Sequence, residues 1–303
     1  MSGGASDDST PMRGMSGFGA VWWASAITLL FLTALASLRG LRLAGSELLA
    51  ATVVQVVCYA AALFALLRVY APESSIRAVI GLRAPTRWSV LPLALILGPA
   101  LYLVCNVLYE LILTRWPHES DGFLAKEWEE GSVGLRAGLV LAVVVAGPLA
   151  EEVIFRGAMF SFVRRYALDG PAFSLTSILR RAISVEDPER ASTRPEPVAR
   201  RWQWEVIGAT SIAFVLVHLE PRRFAPLFLA ALVLGWIRAR SASLLASFAL
   251  HAAFNATPFL LELSFGDTLD EVPRAWAAGG AVVGLAILGL IHVLVPPPPV
   301  ESP

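Results

Sequence analysis

Apolar residues dominate eight stretches of the chain, near residues 18–38, 48–70, 89–113, 136–163, 205–220, 224–240, 242–262 and 276–295. A helix rising about 1.5 Å per residue needs about 20 apolar residues to cross ~30 Å of hydrocarbon. Most of these runs meet that length; 205–220 is short and is expected to be partly submerged. The pattern predicts an all-α fold: a polytopic membrane helix bundle of about eight transmembrane helices. The first run is read as a span. Ala34-Leu-Ala36 resembles a signal-peptide cleavage site, but only Arg13 precedes the run as a basic residue and the apolar stretch is long.

Polar punctuation divides the chain further. Residues 1–16, rich in Ser, Gly and Asp, are expected to be a disordered tail. Residues 17–168 would hold the first four helices and 204–296 the last four. Between them, 169–203 is a soluble cytoplasmic insertion with four prolines and mixed charge. Within it, 173–183 reads equally well as a short interfacial helix or a solvated linker. Residues 297–303 form a Pro-rich tail.

Composition agrees with a membrane protein. Of 303 residues, 56% are hydrophobic and 16% charged, with a mean hydropathy of +0.65; a soluble domain carries about 25% charged residues. The formal net charge is zero, so nothing electrostatic points to nucleic acid. Cys58 and Cys105 fall mid-span and are expected to be buried free thiols.

Loop charges suggest an orientation. Arg77, Arg83 and Arg87 mark the second link, eight arginines the fourth, and Arg238 and Arg240 the sixth. The third and seventh links are acidic, through Glu119, Asp121, Glu127, Glu129 and Glu130, and through Glu262, Asp267, Asp270 and Glu271. The alternation places both termini in the cytoplasm. Arg39, Arg42, Arg222 and Arg223 run against it.

Against this background, Glu151 and Glu152 stand out inside the fourth run. A charged group at mid-bilayer costs roughly 2.5–3.5 kcal/mol on insertion scales, so an adjacent pair of acids implies partners and a function. Arg156 follows Glu152 by one helical turn and can pair with it. Glu151, rotated by roughly 100°, is freer to face another helix. His218 ends the fifth run; His251 and Asn255, four apart, share a face of the seventh. Glu110 and His292 lie near span ends and read as interfacial. Counted from the expected cytoplasmic ends, Glu151, His218 and His251 lie ~20, ~21 and ~15 Å deep. Gly147-Pro148 should loosen the fourth helix beside the acids.

Carboxylates, two imidazoles and a carboxamide meeting in a dry pocket suit hydrolysis. Glu151 can take a proton from water, His218 or His251 can hold that water, and Asn255 can donate to a developing oxyanion. Glu151, His218 and His251 are also a candidate zinc set, although H-E-x-x-H and spaced cysteine pairs are absent. G-x-S-x-G is absent too, so a serine nucleophile has no support. Each residue also has a plainer reading: Glu152–Arg156 as a helix staple, each histidine as packing, Asn255 as interhelical glue.

Three segments are similar to a known family. Pro148-Leu-Ala-Glu-Glu-Val-Ile-Phe-Arg-Gly157 resembles the E-E-x-x-x-R motif of the CPBP intramembrane proteases, the family of CAAX prenyl endopeptidases and bacterial Abi relatives. Phe214–His218 resembles its F-x-x-x-H motif and His251–Asn255 its H-x-x-x-N motif. The resemblance implies an eight-helix bundle in which Glu151 and His218 activate water. It further implies that His251 and Asn255 form the oxyanion site, while Glu152 and Arg156 support geometry. A metal-free glutamate mechanism is implied, with a divalent metal such as zinc the open alternative. The first three helices and the 169–203 insertion depart from the family pattern, which leaves substrate class open. The expected activity is endopeptidase cleavage near the end of a membrane-anchored or lipidated protein or peptide. The rivals are a non-catalytic scaffold or immunity protein on the same fold, and a proton-coupled transporter. The transporter is disfavoured because one Gly-Pro break has no counterpart in a matching half.

Overall fold

The computed structural model describes residues 12–38, 42–43, 45–117, 127–169, 198–265 and 272–296. Most of the predicted insertion, the 173–183 stretch, residues 1–11 and the 297–303 tail lie outside the described residues.

Helices begin where serines precede apolar runs. Ser16, Ser46, Ser75 and Ser132 each accept a backbone N–H of the first turn, at Gly19, Leu49, Ala78 and Leu135. They start α1 (Gly17–Ser37), α2 (Glu47–Tyr70), the short α3 (Ile76–Ile80) and α5 (Val133–Leu168). Between them runs α4 (Val90–Leu113), and after α5 come α6 (Val198–Leu216), α7 (Phe224–Ser241), α8 (Leu244–Phe265) and α9 (Arg274–Leu294). Seven helices among the described residues are long and apolar enough to cross a membrane, and residues 203–216 of α6 form a shorter apolar rod. This is the expected helical bundle, with about eight spans. Leu263, Val282, Leu285 and Val293 point outward from α8 and α9, where a soluble protein would present charge; in a bilayer such a surface is solvated by acyl chains.

Residues 12–16 depart from the disordered-tail expectation. The Arg13 N–H donates to the Tyr70 carbonyl (2.7 Å) and the Met15 N–H to the Phe162 carbonyl (2.9 Å), with Met15 buried. An apolar side chain and two backbone bonds fix this stretch between α2 and α5.

Two packed groups flank α5 and α7. One core joins α1, α2, α6 and the inner face of α5, through Ile27, Leu66, Phe155, Phe162 and Ile207. The other joins α4, α7, α8 and α9, through Leu97, Ile237, Leu250 and Ile291. Cys58 and Cys105 are buried and free, as expected. Helices α4 and α8 meet closely. A Cβ built on Gly98 would lie 2.6 Å from Ala253 Cβ and 2.7 Å from Phe254 N, so only glycine fits between the backbones. Gly98→Ala is expected to destabilise the protein by about 1–3 kcal/mol through overpacking, read as a lower thermal midpoint in detergent.

The α7–α8 turn is fastened to the α3–α4 link. Ala242 adopts φ 55°, and its carbonyl accepts from Arg83 Nε (2.8 Å). The Thr86 N–H donates to the Ser241 carbonyl (3.1 Å) and the Leu244 N–H to the Gly81 carbonyl (3.1 Å). Gly81 itself has φ 68° and lies under the Arg238 guanidinium. These bonds fix where α8 starts, and so where His251 stands two turns later.

Candidate active site

The acids sit on an α-turn between two widened stretches of α5. Leu141–Ala146 and Val153–Met159 are π-helical, with Gly147–Glu152 between them. The sequence predicts loosening at Gly147-Pro148, and the form it takes is a change of winding. The Gly147 N–H bonds Ala142 O, five residues back. The next π-bond would join Val143 O to Pro148, which has no N–H. Asn255 meets that carbonyl instead, donating from Nδ2 to Val143 O at 2.9 Å. On the other side, Arg238 Nε donates to Arg156 O at 2.9 Å. Side chains from α7 and α8 thus satisfy carbonyls beside the π-stretches, a device common at functional sites.

Glu152 and Arg156 pair as their spacing predicts. Arg156 Nη1 lies 3.1 Å from Glu152 Oε1, with both side chains essentially inaccessible. The guanidinium also sits 4.2 Å from the Phe214 ring centroid and reaches the Ala231 carbonyl at 3.4 Å. His251 Nδ1 lies 3.0 Å from the same Glu152 oxygen. A carboxylate only accepts, so Nδ1 carries a proton, and in the neutral tautomer of the ring Nε2 is a bare acceptor. Glu152 Oε2 has no hydrogen-bond partner among the described residues, and the neighbouring Ser247 hydroxyl donates to Leu244 O (3.1 Å).

Glu151 faces away from Glu152, toward α2 and α8 together. Its Oε1 accepts from Gln55 Nε2 at 2.9 Å. Its Oε2 lies 3.7 Å from His251 Nε2, beyond a direct bond and within reach of one shared water. Unlike Glu152, Glu151 keeps some exposure, 12% of its side chain, which leaves a route for solvent.

His218 lies in the turn after α6 rather than on the helix. Its Nδ1 is 2.8 Å from the Phe214 carbonyl, so here too Nδ1 donates and Nε2 is bare in the neutral ring. Both imidazoles pack on the Phe214 ring, with centroids 4.7 Å away for His218 and 5.9 Å for His251. Between α1, α2 and Val217, the neighbour of His218, opens a cavity of about 220 Å³ with Gln55 and Tyr59 in its wall.

The candidate zinc set Glu151, His218 and His251 does not assemble. Among the described residues, no three His, Cys, Asp or Glu side chains are grouped to hold a metal ion. The physical reason is the division of labour just described: His251 is tied to Glu152 and His218 to a backbone carbonyl.

Gln55 is not among the residues that the sequence singles out, because an amide carries no charge; its position in the middle of an apolar span is the available signal. Arg238, a loop charge by its sequence pattern, is buried against α5. Its position four residues before Ala242, at the end of an apolar run, made the two roles indistinguishable by pattern.

Residues 134–257 match the family model described as type II CAAX prenyl endopeptidase Rce1-like. No curated protein and no solved structure matches. The matched segment contains all three motifs, and the resemblance drawn from them holds: this is a domain of the CPBP intramembrane protease kind, carried by an integral membrane protein.

Proposed function

We propose, from that domain and the geometry around Glu151, that the chain is a glutamate-type intramembrane endopeptidase cutting near the end of a membrane-anchored or lipidated protein or peptide. The observation that carries the reading is the 3.7 Å approach of His251 Nε2 on α8 to Glu151 Oε2 on α5. A water there donates one hydrogen to Glu151 and the other to a bare imidazole Nε2, of His251 or of His218. Its lone pair then faces the scissile carbonyl. As the oxygen bonds to carbon, Glu151 takes the proton, and the carbonyl oxygen becomes an oxyanion. Asn255 spends one N–H on Val143 O and has the other for that oxyanion. The C–N bond breaks when protonated Glu151 returns its proton to the leaving amine. Glu152 and Arg156 act one step back, by fixing the His251 ring. No step draws on a metal.

The charges near the α7–α8 turn support the orientation read from the loops. Arg83, Arg164 and Arg238 gather near the α7–α8 turn, and by the positive-inside rule this end faces the cytoplasm. Both termini would then lie on that side.

Purified protein in detergent, incubated with a library of lipidated and transmembrane peptides and read by mass spectrometry, tests the reading. Discrete cleavage near peptide ends is expected, at least 10-fold slower when His218→Ala and His251→Ala are combined. No cleavage by the natural chain, or equal cleavage by that double variant, contradicts it.

A further inference from the structure

We propose that Gln55 is a positioning residue for Glu151, supplied by a helix outside the family-matched segment. The inference rests on the protease reading for its chemistry, and on geometry alone for the contact. Gln55 lies on α2, which precedes residues 134–257. Its Nε2–H donates to Glu151 Oε1 at 2.9 Å, while Oε2 turns toward His251 Nε2 at 3.7 Å. The two carboxylate oxygens are thereby given different tasks. One is anchored by a neutral donor; the other is left to the water.

The choice of residue type fits that task. An arginine here would pair with the carboxylate and compete with the proton that Glu151 must accept. A lone amide donor fixes the plane of the carboxylate without neutralising it. The amide also packs against α5: a Cβ on Gly147, one turn before Glu151, would stand 3.8 Å from Gln55 Oε1, in ordinary van der Waals contact. One turn along α2, buried Tyr59 meets Phe155 edge-on at 6.2 Å, which holds that face of α2 against α5. The opposite side of Gln55 opens on the 220 Å³ cavity, so the amide stands at the border between the carboxylate and the space beside it.

Gln55 could instead be simple glue between α2 and α5, and the two roles give different results. The full chain in detergent is assayed on a peptide cleaved in the library screen. Gln55→Met keeps the length and removes the donor; Gln55→Asn keeps the donor and withdraws it by one methylene. Both are expected to lower kcat at least 10-fold, with KM within two-fold of the natural value. In a Glu151→Gln background, Gln55→Met should lower the residual rate no further, because the residue acts through Glu151. Unchanged kcat, a loss carried by KM or the thermal midpoint alone, or the same fold-loss in both backgrounds overturns the proposal. A second measurement needs no substrate: the infrared carboxylate band that disappears in Glu151→Gln should shift in Gln55→Met. A shifted band with no cleavage of any peptide would leave the positioning contact standing and sink the protease reading; an unmoved band sinks the contact itself.

Discussion

Glu151→Gln is expected to lower kcat by about 10³–10⁴-fold with little change in KM or in the thermal midpoint. General acid–base groups contribute about 10²–10⁴-fold, and here one carboxylate both accepts the water proton and returns it to the amine. The substitution is nearly isosteric. A glutamine carbonyl still accepts from Gln55, and the side chain lies outside the buried ion pair. The fold should therefore survive, and the loss should fall on the chemical step. Steady-state kinetics on a cleaved peptide, beside a thermal melt, checks both halves.

The second large effect is on stability. Arg156→Met should destabilise the protein by about 3–5 kcal/mol, because it leaves the Glu152 carboxylate buried without its cation. It also removes the contact with the Phe214 ring and the bond to the Ala231 carbonyl. Removing both charges is different. Glu152→Gln with Arg156→Met should recover most of that stability, since a buried pair offsets its own desolvation only while intact. The amide can still accept from His251 Nδ1 through its oxygen. Denaturant-induced unfolding in detergent, comparing the single and the double variant, decides this. Equal destabilisation by both would show that the charge pair is not the cause.

Much of this was legible in the sequence, for physical reasons that can be named. Hydrocarbon penalises charge so strongly that Glu151, Glu152 and Arg156 stand out in an apolar run, and their spacing predicts the 3.1 Å pair. His251 and Asn255 were placed on one face, and both reach α5 from it. Serine caps mark the starts of α1 and α2 where the apolar pattern turns on. Other features were hidden. The 3.6-residue period assumes uniform α-winding, so the two π-stretches could only be suspected from Gly147-Pro148. The zinc set failed because residue types do not report ring orientation: His218 turns its Nδ1 to a backbone carbonyl that no pattern reveals. Gln55 was missed because amides are cheap enough to recur in spans as glue. Met15 lay in a stretch whose polar composition masked a single anchoring side chain.

The central claim is that a carboxylate on α5 and an imidazole on α8 act as one unit on a shared water. A double-mutant cycle of Glu151→Gln and His251→Ala, read in kcat on a cleaved membrane-anchored peptide, tests it most directly. Groups acting as a unit are strongly non-additive, so the double variant should be no slower than Glu151→Gln alone, to within a factor of about three. Losses that multiply, or either single variant cleaving at the natural rate, would contradict the account.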